Sequence, residues 1–151
     1  MLRTRFSDAL KESLRAKRQR ELATVRLILA ALKDRDIAAR SKGNMDGISE
    51  DEILQMLNSM VKQRRESIEL YEKGGREALA QQEKEEIEVI QGFMPKQMDD
   101  SEVAAAVQAA IAEAGAASVK DMGKVMGLLK DKFAGQMDFS KASGIVKQHL
   151  G

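Results

Sequence analysis

A single proline, Pro95, interrupts the chain, and on both sides of it apolar residues recur every three or four positions. Proline breaks helices, whereas the abundant Ala, Leu, Glu, Lys, Arg and Gln lose least on entering one. No alternating run of β-branched or aromatic residues marks a strand. The chain therefore has to bury its apolar side chains as packed amphipathic helices. The predicted fold is all-α, in 151 residues, a length that can bury a core without staples.

Four helices are expected before the proline. The first spans about Arg3 to Ala16, with Leu2, Phe6, Leu10 and Leu14 as its stripe and Ala9 beside it. After a basic hinge at Lys17-Arg18-Gln19-Arg20, a second uses Leu22, Val25, Leu29 and Leu32, with Ile28 alongside, and runs to about Ala39. Residues 41–47 read as a loop. Ser49 followed by Glu52 predicts a capping box for the third helix, whose stripe is Ile53, Met56, Leu57, Met60, Val61, Ile68 and Tyr71 and whose stop is Gly74-Gly75. In the fourth, Ala78 and Leu79 open an apolar seam that Ile87, Ile90 and Met94 close. Glu83, Lys84, Glu85, Glu86 and Glu88 read as its solvated face, and Pro95 ends it.

Three helices are expected after it. Asp99 with Glu102 caps Val103, Val107, Ala110, Ile111 and Ala114, ending at Gly115. Ser118, with Asp121 three residues on, opens a stripe of Met122, Val125, Met126, Leu129 and Phe133 that stops at Gly135. Asp138 or Ser140 caps the last, built on Ala142, Ile145, Val146 and Leu150. The predicted organisation is an N-terminal four-helix subdomain over residues 1–94 and a three-helix tail subdomain over residues 95–151.

The residue inventory narrows the chemistry. There is no cysteine, which removes thiolate metal sites and cysteine nucleophiles, and the one histidine, His149, lies at the C-terminal end. No calcium-loop spacing, nucleophile elbow or phosphate-binding glycine loop occurs. No catalytic residue, metal site or cofactor is predicted. The N-terminal residues form no apolar signal core and no apolar run would span a bilayer, so a cytoplasmic location without membrane is expected.

Charge is segregated. Residues 1–42 carry 12 Lys or Arg against 5 Asp or Glu, residues 43–94 carry 6 against 12, and residues 95–151 carry 7 of each. The basic front and acidic middle are expected to neutralise each other on packing. The clusters Arg15 to Arg20 and Lys62-Gln63-Arg64-Arg65 read as solvated faces paired to nearby glutamates. Besides Tyr71 the only aromatics are four Phe, several at core positions, so bases would have little to stack on.

Gly123 and Gly127 call for explanation. Each lies inside the sixth helix, where glycine costs roughly 1 kcal/mol against alanine. They share a face with Lys120 and Lys124 beside them, while Met122, Val125, Met126 and Leu129 point to the core. Such bare backbone admits a close neighbour. Spacing alone favours another helix, with the alanine-rich fifth as candidate. A nucleic-acid backbone docking between lysines is the functional alternative.

Met122-Gly123-Lys124-Val125-Met126-Gly127, preceded by Ser118 and Asp121, resembles the signature of YqeY-like proteins. So do Gly135 and Asp138 before a final helix ending Val146-Lys147-Gln148-His149-Leu150. The turn Phe93-Met94-Pro95-Lys96-Gln97-Met98, with Ser101-Glu102, resembles that family's Leu-Pro-x-Gln-Leu entry into its C-terminal part. Val25-Arg26 and Val61-Lys62-Gln63-Arg64-Arg65-Glu66-Ser67 fit its N-terminal part. This unit is similar to the C-terminal portion of the GatB subunit of glutamine-dependent aminoacyl-tRNA amidotransferases, whose tail helps hold tRNA while a separate domain does the chemistry. The resemblance implies tRNA contacts at Lys124, with nearby Lys120 and Lys130, and no catalysis of the chain's own. Gln136-Met137 departs from the small or basic pair the family often has there, which argues against a basic contact at that point.

Three functions are consistent with this reading. The first is a tRNA-binding module acting alone or with a protein partner in translation. The second is a protein–protein adaptor, suggested by the near-neutral net charge and alanine faces. The third is a component of a carbon–nitrogen ligase with glutamine as amido donor, in which other subunits supply catalysis.

Overall fold

The computed structural model describes every residue from Met1 to Gly151. It is all-helical, with seven α-helices, one 3-10 turn and no strand. The helices group into two compact units, Met1–Met94 and Pro95–Gly151.

In the first unit, α1 (Leu2–Arg15) buries Leu2, Phe6 and Ser13. Leu14, expected on the stripe, is 57% exposed. Steps of four overshoot the helical repeat: at 100° per residue, Leu14 lies about 120° round from Leu2, whereas Ser13 lies within about 20°. The Ser13 hydroxyl donates to the Ala9 carbonyl at 2.6 Å, which makes its burial tolerable. Two bonds close the end of the helix, from Lys17 N–H to Leu14 O at 3.3 Å and from Arg18 N–H to Ser13 O at 3.0 Å. This is the Schellman arrangement, with Lys17 at φ 57° where glycine is usual.

Helix α2 (Gln19–Ser41) buries Leu22, Thr24, Val25, Ile28 and Leu32. Helix α3 (Glu50–Lys73) begins with the expected capping box: Ser49 Oγ accepts from Glu52 N–H at 3.2 Å and Glu52 Oε1 from Ser49 N–H at 3.3 Å. It buries Ile53, Met56, Leu57, Met60 and Val61.

Helix α4 (Glu77–Gln91) departs from expectation in three places. Ala80 is buried in place of Leu79, and Glu86, expected in solvent, is 6% exposed. The cause is that α4 packs against both α2 and α3, so its solvated face is narrow. The helix also ends four residues before Pro95. Arg5 donates to the carbonyls of Gly92 at 2.9 Å and Phe93 at 3.3 Å, satisfying acceptors beyond the last turn. Its guanidinium lies over the Phe93 ring, whose edge meets Phe6 at 4.9 Å between centroids.

The α2–α3 loop folds back on α1. Arg3 grips Asp36 through both nitrogens at 2.7 and 2.9 Å, Asp36 Oδ1 accepts from Ile48 N–H at 2.9 Å, and Arg3 donates to Ile48 O at 2.9 Å. Gly47, at φ 86°, lets the chain pass here, since a Cβ would stand 2.6 Å from Asp36 Oδ1.

In the second unit, α5 (Asp100–Ala114) carries the expected Asp99–Glu102 capping box and ends at Gly115 in the left-handed conformation. A 3-10 turn (Val119–Asp121) leads into α6 (Met122–Phe133), and α7 (Phe139–Leu150) follows. Val103, Ala106, Val107, Ala110 and Ala114 pack with Val125, Leu129, Met137, Ala142 and Val146. Gln97 Nε2 donates to Gly135 O at 2.6 Å, and Met98 N–H donates to Gln136 O at 2.9 Å. These bonds tie the segment after Pro95 to the α6–α7 turn.

Candidate nucleic-acid interface

The candidate surface is built on α6. Its inward side is fixed by Val125 and Leu129, both fully buried. Each of Gly123 and Gly127 stands two residues from one of these, about 160° away round the helix, so both are on the outward side. Both are exposed, and a Cβ added at either would meet no heavy atom within 4 Å. This corrects the expectation of a helix packed on the glycines. The alanines of α5 instead meet Val125 and Leu129, because apolar side chains bury more area there than bare backbone would.

Lysines border the strip. Lys124 and Lys130 lie about 60° to either side of Gly127 and roughly 9 Å apart along the axis, and Lys120 precedes them in the 3-10 turn. All three are exposed and none makes a salt bridge. Two other tail lysines are spent differently: Lys132 is bound by Glu113, and Lys141 by Asp100 at 2.9 Å. Lys147 is exposed on α7.

Three acids lie near these lysines in sequence, Asp121, Asp131 and Asp138, and two of them are occupied. Asp121 Oδ2 accepts from Ala117 N–H at 3.0 Å and Ser118 N–H at 3.3 Å. Those two donors, assisted by Lys124, hold its carboxyl below the usual range. Asp138 Oδ1 accepts from Ser140 N–H at 2.9 Å as the cap of α7. Asp131 stays exposed, seven residues along from Lys124 on the same edge. What remains is a bare outward face with three exposed cations and one acid, suited to phosphate contacts that need charge and close approach. Gln136-Met137 contributes no basic contact: Met137 is 3% exposed in the core and the Gln136 carbonyl is bonded to Met98.

In the two N-terminal basic clusters several arginines are held by acids. Arg18 pairs with Glu21 at 3.0 Å and Glu12 at 3.7 Å, and Arg20 with Glu85 at 3.3 Å. Arg64 is no solvated residue. Its Nε donates to Glu86 at 3.0 Å and lies 3.8 Å from Glu83, with all three side chains largely buried. Burial first, then Glu86, push the Glu83 carboxyl above its ordinary range. Sequence reasoning missed this cluster and the Arg3–Asp36 pair, whose partners are 33 residues apart. No helix is long and apolar enough to cross a membrane alone.

Residues 3–150 match the family model described as Yqey-like protein, so the match includes both units and the whole of α6. A curated relative from Eremothecium gossypii, named altered inheritance of mitochondria protein 41, mitochondrial, is 36% identical over 85 residues. The aligned part is 56% of this chain and 44% of that protein, so the chain spans under half of its relative's length.

Proposed function

The chain belongs to the YqeY-like family, and on that premise we propose that it is a non-catalytic helical module that binds tRNA through the outward face of α6. In this reading residues 1–94 form a helical body and residues 95–151 a tail, as in the GatB subunit that the sequence resembles. The observation that carries it is the pairing of two uncovered glycines, Gly123 in the first turn of α6 and Gly127 in its middle, with Lys120, Lys124 and Lys130. A helix interior disfavours glycine, and no packing neighbour accounts for Gly127 or for the open face at Gly123. A phosphate backbone does: it can approach the bare helix closely while the lysines reach round it.

Recognition here is by shape and phosphate, because the surface has no aromatic side chain to stack on bases. The reading carries with it a cytoplasmic location, with the tRNA pool. A second form of it has the chain hold tRNA beside a glutamine-dependent carbon–nitrogen ligase whose other subunits perform the chemistry. The test is binding of total tRNA to the purified chain at two salt concentrations. Three neutralised phosphates give a loss of roughly 40-fold over a fourfold rise in salt. Absence of binding at low salt removes the proposal.

A further inference from the structure

Helix α2 is apolar on two sides. Leu22, Val25, Ile28 and Leu32 enter the core of Met1–Met94. On the opposite side Ala23, Leu27, Ala30, Asp34, Ile37 and Ser41 follow one another at spacings of four, three, four, three and four, the seam spacing of a helix that packs on another helix. All six are exposed, Leu27 at 45% and Ile37 at 51%. Nothing in the unit covers them.

We propose that this face of α2 docks an amphipathic helix of a partner protein that carries carboxylates along one edge. The inference concerns Met1–Met94 and is independent of the tRNA reading. Charge complementarity identifies the occupant. Arg26, Lys33 and Arg40 recur every seven residues along one flank of the seam, exposed and free of salt bridges. A groove of about 300 Å³ on that flank is lined by Leu29, Leu32, Ile37, Lys33 and Arg40, together with the Asp36 that Arg3 already holds. It can take an apolar side chain with a carboxylate beside it. Asp34, the one charged residue of the seam, calls for one cation on the partner and so sets the register, as a polar seam residue does in coiled coils.

Two other occupants fit less well. In a two-fold antiparallel contact with a second copy, Lys33 would meet Lys33 and Arg26 would meet Arg40, like charges that destabilise pairing. A nucleic acid would gain nothing from Leu27 and Ile37 and would be repelled by Asp34.

The experiment uses the full chain and two labelled probe helices of three heptads. Both carry leucine at seam positions and one central lysine; one has glutamates along an edge, the other lysines there. Fluorescence anisotropy is expected to show binding of the acidic-edged probe, weakened about tenfold or more by Leu27→Glu or Ile37→Glu, and binding of the basic-edged probe about tenfold weaker or more. Both substituted residues are exposed, and circular dichroism checks that the variants keep their helix content. The proposal is overturned if the acidic probe does not bind, if both probes bind alike, or if the variants bind like the parent. It is equally overturned if sedimentation shows the chain self-associating through this face, with Ile37→Glu abolishing the dimer.

Discussion

Arg64 donates its Nε–H to Glu86 at 3.0 Å from one helix of the α3–α4 pair to the other, with only 14% and 8% of the two side chains exposed. Glu83 stands 3.8 Å from the same nitrogen. One guanidinium thus serves two carboxylates, and the cluster has a surplus negative charge.

That imbalance predicts opposite effects for two substitutions. Arg64→Met leaves two buried carboxylates uncompensated and is expected to destabilise the chain by about 3–5 kcal/mol. Glu83→Gln removes the surplus charge and is expected to stabilise it at pH 7. The sign follows from the Glu83 carboxyl being raised in the folded state by burial and by Glu86: its ionisation costs stability as pH rises past the unfolded value. The advantage of Glu83→Gln is therefore full above the raised folded value, shrinks as pH falls from there, and is gone below about 4.3, where the unfolded carboxyl is protonated too. Urea denaturation at pH 7 and pH 4 measures both.

Asp36 gives the reverse dependence. The hydrogen bonds from Arg3, and secondarily the Ile48 N–H, lower its carboxyl to about 2. A lowered carboxyl contributes stability that is full above the unfolded value and lost as pH falls toward 2. Asp36→Asn is expected to cost about 1–3 kcal/mol at pH 7, with a smaller difference from the parent near pH 2. Thermal melts of the two proteins across that range read it out. Gly47→Ala is expected to loosen the same contact, since its Cβ would stand 2.6 Å from Asp36 Oδ1 and its φ is 86°.

Lys17 holds a left-handed conformation, φ 57°, at the end of α1. Such a conformation costs a non-glycine residue about 1–2 kcal/mol. Lys17→Gly is expected to recover about 1 kcal/mol, because glycine pays more entropy on folding. A rise in the urea midpoint without a change in slope is the result to look for.

Gly127→Ala is expected to stabilise the chain by about 1 kcal/mol, since it sits inside an exposed helix with room for a methyl group, and Gly123→Ala, in the first turn of α6, by less. A leucine at position 127 in place of glycine would keep the helix and block close approach. It is expected to weaken tRNA binding while leaving the helical circular dichroism spectrum unchanged.

The legible parts of the sequence were the local ones. The boxes Ser49–Glu52 and Asp99–Glu102 form within one turn, so their spacing was enough to place two helix starts. The apolar stripes of α3, α5 and α6 were readable because the 3.6-residue repeat holds along each. What escaped was set by neighbours distant in sequence. Glu86 is buried because α4 has a helix on both sides, and Arg3 meets Asp36 only because the loop to Ile48 returns to α1. Ser13 replaced Leu14 through a phase drift that four-residue counting hides. For the candidate interface, the lysines and glycines were readable, but that the glycines face open space depended on which side of α6 the α5 alanines chose.

The most direct test of the central claim is the salt dependence of tRNA binding by the parent chain and by a Lys120→Gln/Lys124→Gln variant. If these lysines neutralise phosphates, each contributes about one unit to the slope of log affinity against log salt, so the slope falls from roughly −3 to roughly −1 and binding weakens across all tRNAs alike. An unchanged slope with unchanged affinity, or no binding by the parent at about 50 mM salt, would contradict the account.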